Sequence, residues 1–307
     1  MKIKDMPFRL LANAARSSTG LCVDFGACVV RLRSQESDFL RTFSLLYQDF
    51  QIVEGQFIDF HIDMKRPANY RRWMQAQIIF SINGVTPFEP FPLNHAMPLF
   101  EWGLNWCIAK QGHHHLMLHA GVVETAGKAI IFPALPGSGK STLSTALALR
   151  GWRLLSDEFG LVRAKDGMLQ PMPRPVPLKN ASIQVIRDFA PSAVIGPLFP
   201  KTRKGTVAHC QPPTSSAEQC RQLVKPAFVV FPKYQAGSQT ILQTLPKHYS
   251  FLKLASNAFN YEVMGVTGFE RLSDIVNSCK CFNLTYSDLD NVIARLDDMI
   301  LQEDYEL

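Results

Sequence analysis

The chain has no apolar run of about eighteen residues, the length a membrane-spanning helix needs, and no charged-then-apolar stretch at its start. Neither a transmembrane segment nor a secretory leader is expected, and the reading is of a cytoplasmic protein without membrane partners. Its seven cysteines (Cys22, Cys28, Cys107, Cys210, Cys220, Cys279 and Cys281) are odd in number, scattered and free of any C-x-x-C pair. They read as reduced, mostly structural thiols rather than a disulfide framework. There is no internal repeat and no low-complexity tract. No Lys/Arg-rich run interleaved with aromatic residues stands out, so nucleic acid is not an expected partner. Charged residues make up only 19% of the 307 and hydrophobic ones 47%, an ordinary balance for a globular chain with a real core. The formal net charge of +6 suits phosphorylated or acidic ligands.

What is present is concentrated between Leu118 and Val162. Ala134-Leu135-Pro136-Gly137-Ser138-Gly139-Lys140-Ser141 follows the pattern G-x-x-x-x-G-K-[ST], with Ala134 in place of the first glycine. The wholly apolar run Ala129-Ile130-Ile131-Phe132 before it reads as a buried strand. Residues 141–150 after it place Leu143, Ala146 and Leu147 on one helical face, and Gly151 stands where a helix C-cap belongs. Strand, glycine-rich turn and helix are the context a phosphate-binding loop requires.

Each residue type has a physical role in such a loop. Gly137 and Gly139 carry no side chain, so backbone N–H groups can curl around an anion. Those groups and the positive end of the helix both favour phosphate, from Pro136 through Ser138 to Thr142. Lys140 adds a full charge at the outer phosphates, and the Ser141 hydroxyl is a hard oxygen ligand for Mg²⁺. Asp157-Glu158, at the end of the apolar run Leu154-Leu155, would deliver carboxylates to a Mg²⁺–phosphate site. A strand end with solvated acids is the alternative.

This stretch resembles the catalytic domain of HPr kinase/phosphorylase and, more closely, the HPr-kinase-related family of bacterial kinases. In the enzyme that names the family, an H-G-x-x-V segment precedes the phosphate loop and an Asp-Asp pair follows it. Here His119 with Ala120-Gly121-Val122-Val123 stands at the first place, 21 residues before Lys140, and Asp157-Glu158 at the second, 17 residues after it. The resemblance implies that Lys140 and Ser141 hold ATP and Mg²⁺. It makes Asp157 the general base on the accepting hydroxyl, with His119 beside it, and Glu158 a metal ligand. Ala134 and Glu158 depart from the family pattern. So does the region of Pro171 to Lys179, which stands where the namesake has a glycine-rich E-x-R-G-L-G segment, and HPr itself is therefore not the expected acceptor.

Around this core the reading is coarser. Residues 1–98 form a small α+β domain, with strands near 21–25, 28–32 and 56–63, a helix over 37–47, and a hairpin turn at Asn83-Gly84. Residues 99–307 form the catalytic domain, opening on a helix over 99–109 in which Glu101 and Asn105 read as a surface pair or a pair facing the site. His113-His114-His115 point in different directions on either a helix or a strand, so they are not read as a metal site. The four prolines of 170–180 forbid a central strand there. Within and after that stretch, Arg174, Lys179, Arg203 and Lys204 are candidate phosphate or substrate contacts, with 201–209 as a mobile lid or an exposed basic turn. Strands are expected at 225–232 and 239–245 as antiparallel neighbours, and residues 257–261 either line a nucleotide base or pack in the core.

The fold expected is α/β: a P-loop kinase core on a mixed sheet of the HPr kinase/phosphoenolpyruvate carboxykinase type, plus the N-terminal α+β domain. The activity expected is Mg²⁺-dependent transfer from ATP to a Ser/Thr hydroxyl of a protein or peptide. A small-molecule kinase and a nucleotide-binding regulator that transfers nothing are the alternatives. Oligomeric state is left open, homo-oligomers included.

Overall fold

The computed structural model describes residues 1–133 and 137–304 of a mixed α/β chain. It divides into two compact units, neither contiguous in sequence. One comprises Met1–Gln111, Arg174–Arg187 and Ser192–Cys220; the other comprises Gly112–Pro173, Asp188–Pro191 and Arg221–Leu307. The division does not fall between residues 98 and 99. The helix Ala96–Gln111 groups with the N-terminal residues, and so does most of 174–220. Among the described residues no helix is long and apolar enough to cross a membrane.

In the first unit a six-stranded sheet runs in the order Gln51–Ile52, Leu21–Asp24, Val29–Ser34, Phe60–Lys65, Gln77–Ile82, Phe91–Pro92. Only the Val29–Ser34 and Phe60–Lys65 pair is parallel. Asn83 (φ 49°) and Gly84 (φ 82°) are both left-handed, and Ile82 and Val85 exchange two 2.8 Å hydrogen bonds across them. This is the tight hairpin turn that an Asn-Gly pair favours.

The strand expected over 56–63 begins only at Phe60. A turn at Gly55 (φ 68°) precedes it, and Phe57 is 83% exposed. Asp59 instead brackets Val29, whose N–H donates to its carboxylate at 2.7 Å while the Asp59 N–H donates to the Val29 carbonyl at 2.9 Å.

The helices Ser37–Leu46 and Ala96–Gln111 bring Phe39, Phe43 and Phe100 together, and Tyr47, Phe25 and Phe50 complete one aromatic core. Burying each such side chain stabilises the unit by about 1.5–3 kcal/mol.

A second small sheet in this unit is ordered Val176–Lys179, Gly205–Cys210, Phe199–Thr202. Residues 201–209 belong to a β-hairpin whose exposed basic turn is Arg203-Lys204, followed by Gly205 (φ 85°), with Val207 to Cys210 buried. The proline-rich stretch ends in the edge strand Val176–Lys179, where Pro177 is tolerated because its missing donor is not needed on the open side.

The second unit is built on the sheet Arg153–Ser156, Ala120–Thr125, Lys128–Pro133, Pro226–Tyr234, Lys280–Tyr286, Ile241–Thr244. Three of its four inner strands, Lys128–Pro133, Pro226–Tyr234 and Lys280–Tyr286, are parallel. The strand Ile241–Thr244 pairs with Lys280–Tyr286 and not, as expected, with 226–234. The reason lies in burial: Phe228 to Phe231 are buried and take parallel partners on both edges, as an apolar inner strand must, whereas Ile241–Thr244 is largely exposed and closes the sheet. A three-stranded sheet of Leu169–Gln170, Gly160–Arg163 and His115–Leu118 adjoins it. Leu116, Leu118, Val122, Ile131, Val229 and Leu254 share its core.

Candidate functional site

Ser138 and Gly139 lie at the carboxyl ends of the parallel strands Pro226–Tyr234 and Lys280–Tyr286, the edge at which open α/β sheets place ligands. Ala134, Leu135 and Pro136 fall outside the described residues. Gly137 and Gly139 both have φ of 87°, a left-handed backbone that favours glycine, and Gly139 caps the helix Lys140–Leu149. Two tyrosines fix Gly139. Tyr286, the last residue of its strand, donates its hydroxyl to the Gly139 carbonyl at 3.1 Å. Tyr234, the last of the neighbouring strand, donates its N–H to the Ser138 carbonyl at 2.9 Å. A side chain at Gly139 would run into the Tyr286 hydroxyl and stand 2.9 Å from Tyr234 Cβ. Burial pushes the Tyr286 phenol up, so it keeps the proton that it donates.

The helix then delivers Lys140 and Ser141 to a single carboxylate. The buried Lys140 ammonium donates to the Asp157 carbonyl and stands 3.3 Å from Asp157 Oδ1. Ser141 Oγ donates to Asp157 Oδ2 at 2.7 Å. Asp157 is 5% exposed, and Oδ1 receives no hydrogen bond, because the nearby ammonium is not aligned as a donor to it.

Two local features aim this carboxylate. The register of Arg153–Ser156 on Ala120–Thr125 slips between Leu154 and Ser156, the kind of bulge that redirects a side chain. At Gly121 an added Cβ would collide with Ser144 Oγ and lie 3.5 Å from Asp157 Oδ1, so the glycine lets the helix close onto the strand. Thr142 sits on the same first helical turn.

The donor set fits a magnesium–phosphate group. Ser141 Oγ and the Asp157 carboxylate are hard oxygen ligands. Oδ1 is a buried acceptor without a hydrogen bond, and an ammonium and a helix N-terminus face the same place. No cluster of three metal-ligating side chains occurs among the described residues. Magnesium needs none, since it binds through one or two carboxylates together with phosphate oxygens and water.

The other two predicted residues meet each other. His119 Nε2 lies 3.9 Å from Glu158 Oε2. The His119 N–H donates to the Asn257 carbonyl at 2.7 Å, and its ring is 5.5 Å from Phe259.

Ala258 and Tyr261 pack against the core, as the second reading of the segment had it, and residues 257–260 also hold this histidine through backbone pairing. Phe259 N–H donates to the Met117 carbonyl at 2.8 Å. The buried Asn260 side chain accepts from Met117 N–H at 2.9 Å and donates to the His115 carbonyl at 2.8 Å. One carboxamide thus imitates a strand residue beside His115–Leu118. The available signal was an asparagine amid aromatic residues between two amphipathic helices, and it says nothing about the distant partner. His115 itself is a buried strand residue whose imidazole burial lowers to about 4, so it is neutral.

Arg174, Lys179, Arg203 and Lys204 belong to the first unit, whereas Lys140 and Asp157 belong to the second. The Arg174 guanidinium, 8% exposed, donates to Glu101 Oε2 at 2.9 Å and to Asn105 Oδ1, and Glu101 also accepts from the Tyr47 hydroxyl. Glu101 and Asn105 are therefore neither a surface pair nor a pair facing a ligand. Glu101 neutralises a buried arginine, and Asn105 accepts a hydrogen bond from it. Lys179 ends its strand with its N–H on Ser182 Oγ at 2.7 Å, and Arg203 and Lys204 form the exposed tip of the 199–210 hairpin.

No protein-family model matches the chain, and no curated protein matches it.

Proposed function

We propose that the chain is a phosphotransferase that moves the γ-phosphoryl group of ATP, with Mg²⁺, to a Ser/Thr hydroxyl of a protein or peptide in the cytoplasm. On this reading the second unit is a P-loop kinase core with the mixed sheet of the HPr kinase/phosphoenolpyruvate carboxykinase type. The observation that carries it is the convergence of Lys140 and Ser141 on the buried Asp157 beneath the left-handed Gly139.

The assignment of roles follows. Backbone N–H groups of Gly137 to Lys140, the helix N-terminus and the Lys140 ammonium bind and orient the triphosphate. Ser141, Asp157 and Glu158 are the oxygen ligands available to magnesium, which when bound neutralises charge on the transferred group. Asp157 Oδ1, buried and accepting no hydrogen bond, takes the proton of the acceptor hydroxyl as the new O–P bond forms and the bond to the β-phosphate oxygen breaks. His119 faces Glu158 and orients that carboxylate. The acceptor class rests on the resemblance of residues 118–162 to HPr-kinase-related proteins, and the changed segment before Lys179 argues against HPr itself.

The test is incubation of the protein with γ-labelled ATP, Mg²⁺ and cell lysate. Label in a protein or peptide band is expected, lost in Lys140→Ala and in Asp157→Asn. Label confined to a metabolite would replace the acceptor by a small molecule. Nucleotide binding without any transfer would make the chain a regulator, and full transfer by both variants would remove the site.

A further inference from the structure

The first unit contains a cleft of about 1320 Å³, lined wholly by residues between Ala15 and Asn94. It exceeds the roughly 300–1,000 Å³ usual for small-molecule sites, and a chain segment suits it better than a metabolite. Its wall carries six cations, Arg16, Arg33, Lys65, Arg66, Arg71 and Arg72, against three carboxylates, Glu36, Asp38 and Asp63. This local excess of three positive charges is half of the chain's formal +6.

Two of the arginines show what the wall recognises. Arg33 grips Asp63 through two hydrogen bonds of 2.5 and 2.7 Å, and Arg66 grips Glu36 through two of 2.9 and 2.8 Å. Both are the forked contact that a guanidinium makes with a carboxylate. The other four cations make no ion pair among the described residues. Arg16 donates to Ser37 Oγ at 2.7 Å, Arg71 to Gln75 Oε1, and Arg71 and Arg72 lie over the rings of Tyr70 and Trp73. Those rings are 61% and 74% exposed. The nine residues Lys65 to Trp73 thus hold four cations and two aromatics, a run that the reading of the sequence passed over.

We infer that this cleft binds an acidic segment of a polypeptide, with carboxylates on Arg71, Arg72, Lys65 and Arg16. A nucleic acid is the other polymer that basic and aromatic residues can attract. The three carboxylates on the wall oppose a continuous phosphate backbone, whereas a peptide can space its acids between them. The exposed Ser18 on the same wall supplies a hydroxyl for a peptide carbonyl. The inference goes beyond the kinase reading and does not depend on it, because binding is measured without transfer.

The experiment is fluorescence anisotropy on the full chain with a short labelled peptide alternating Glu and Leu, its Gln counterpart, and labelled oligouridylate. The acidic peptide is expected to bind, more weakly as salt rises, and the Gln peptide to fail. Arg71→Glu combined with Arg72→Glu should weaken binding by ~10-fold or more, as charge reversal at a complementary contact does. Lys165→Glu with Arg295→Glu, exposed positions in the second unit, lowers the net charge equally and should leave binding unchanged. Lys65→Glu repeats the test should the double variant not fold. Equal binding of the two peptides, no binding of the acidic one, wild-type affinity in the Arg71/Arg72 variant, or preferred binding of oligouridylate would each overturn the inference.

Discussion

Ser141 Oγ donates to Asp157 Oδ2 at 2.7 Å, across 16 positions of sequence and from a helix to the end of a strand. That bond ties the two halves of the site together. Asp157 also faces the Lys140 ammonium, so one carboxylate orders both polar side chains that the glycine-rich loop presents. A buried carboxylate survives in this way only when its charge is met.

The close approach behind that contact is testable at Gly121. Gly121→Ala puts a methyl group into Ser144 Oγ and should cost about 1–3 kcal/mol in chemical denaturation, the usual penalty of overpacking. It should also weaken ATP binding by displacing the helix. Ser144 Oγ is buried without a hydrogen bond, so Ser144→Ala alone should be near neutral and should restore part of the loss in the double variant. An unchanged Gly121→Ala protein would contradict the packing described.

Tyr286→Phe removes the hydroxyl held at 3.1 Å on the Gly139 carbonyl. Stability should fall by about 1 kcal/mol, and nucleotide affinity should fall with it as the loop loosens. Gly139→Ala should abolish nucleotide binding outright, since it combines a left-handed φ of 87° with a collision against the same tyrosine. Titration of a fluorescent ATP analogue reads both.

Arg174 separates a structural charge from a phosphate contact. Because it neutralises the buried Glu101, Arg174→Met should destabilise the protein by about 3–5 kcal/mol, the range for breaking a buried pair. Arg174→Met with Glu101→Met should recover much of that loss. If Arg174→Met instead kept full stability and lost ATP affinity, the arginine would be a ligand contact after all.

His115 should make stability depend on pH. Burial lowers its pKa to about 4 from an ordinary 6.5, so between those values the unfolded chain binds more protons than the folded one. Its contribution is complete above pH 6.5 and is lost as pH falls toward 4. From pH 7 to 5 the loss amounts to about 2 kcal/mol. Urea denaturation at the two pH values should show a smaller drop for His115→Leu than for the wild type by that amount, and equal drops would refute the assignment.

The loop and its flanks were legible in the sequence because their signals are local. An apolar strand, Gly137 and Gly139 with positive φ, and Gly151 (φ 102°) just past the helix lie within 23 consecutive residues, 129–151. Strand order was not legible. Lys280–Tyr286 enters between Pro226–Tyr234 and Ile241–Thr244, and burial over the whole sheet decides that placement. The pairing of Arg174 with Glu101 spans 73 positions and that of Asn260 with His115 spans 145, beyond the reach of any periodicity. The cationic wall was missed because Lys65 closes a strand and Arg66 follows it, while Arg71 and Arg72 lie in a short 3₁₀ turn, so no single element displays it.

Calorimetric titration of ATP, with and without Mg²⁺, into the wild type, Lys140→Ala and Asp157→Asn tests the central claim most directly. The account predicts tight binding only with Mg²⁺ in the wild type, loss of binding in Lys140→Ala, and loss of the Mg²⁺ dependence in Asp157→Asn. Equal heats and affinities in all three proteins, indifferent to Mg²⁺, would contradict it.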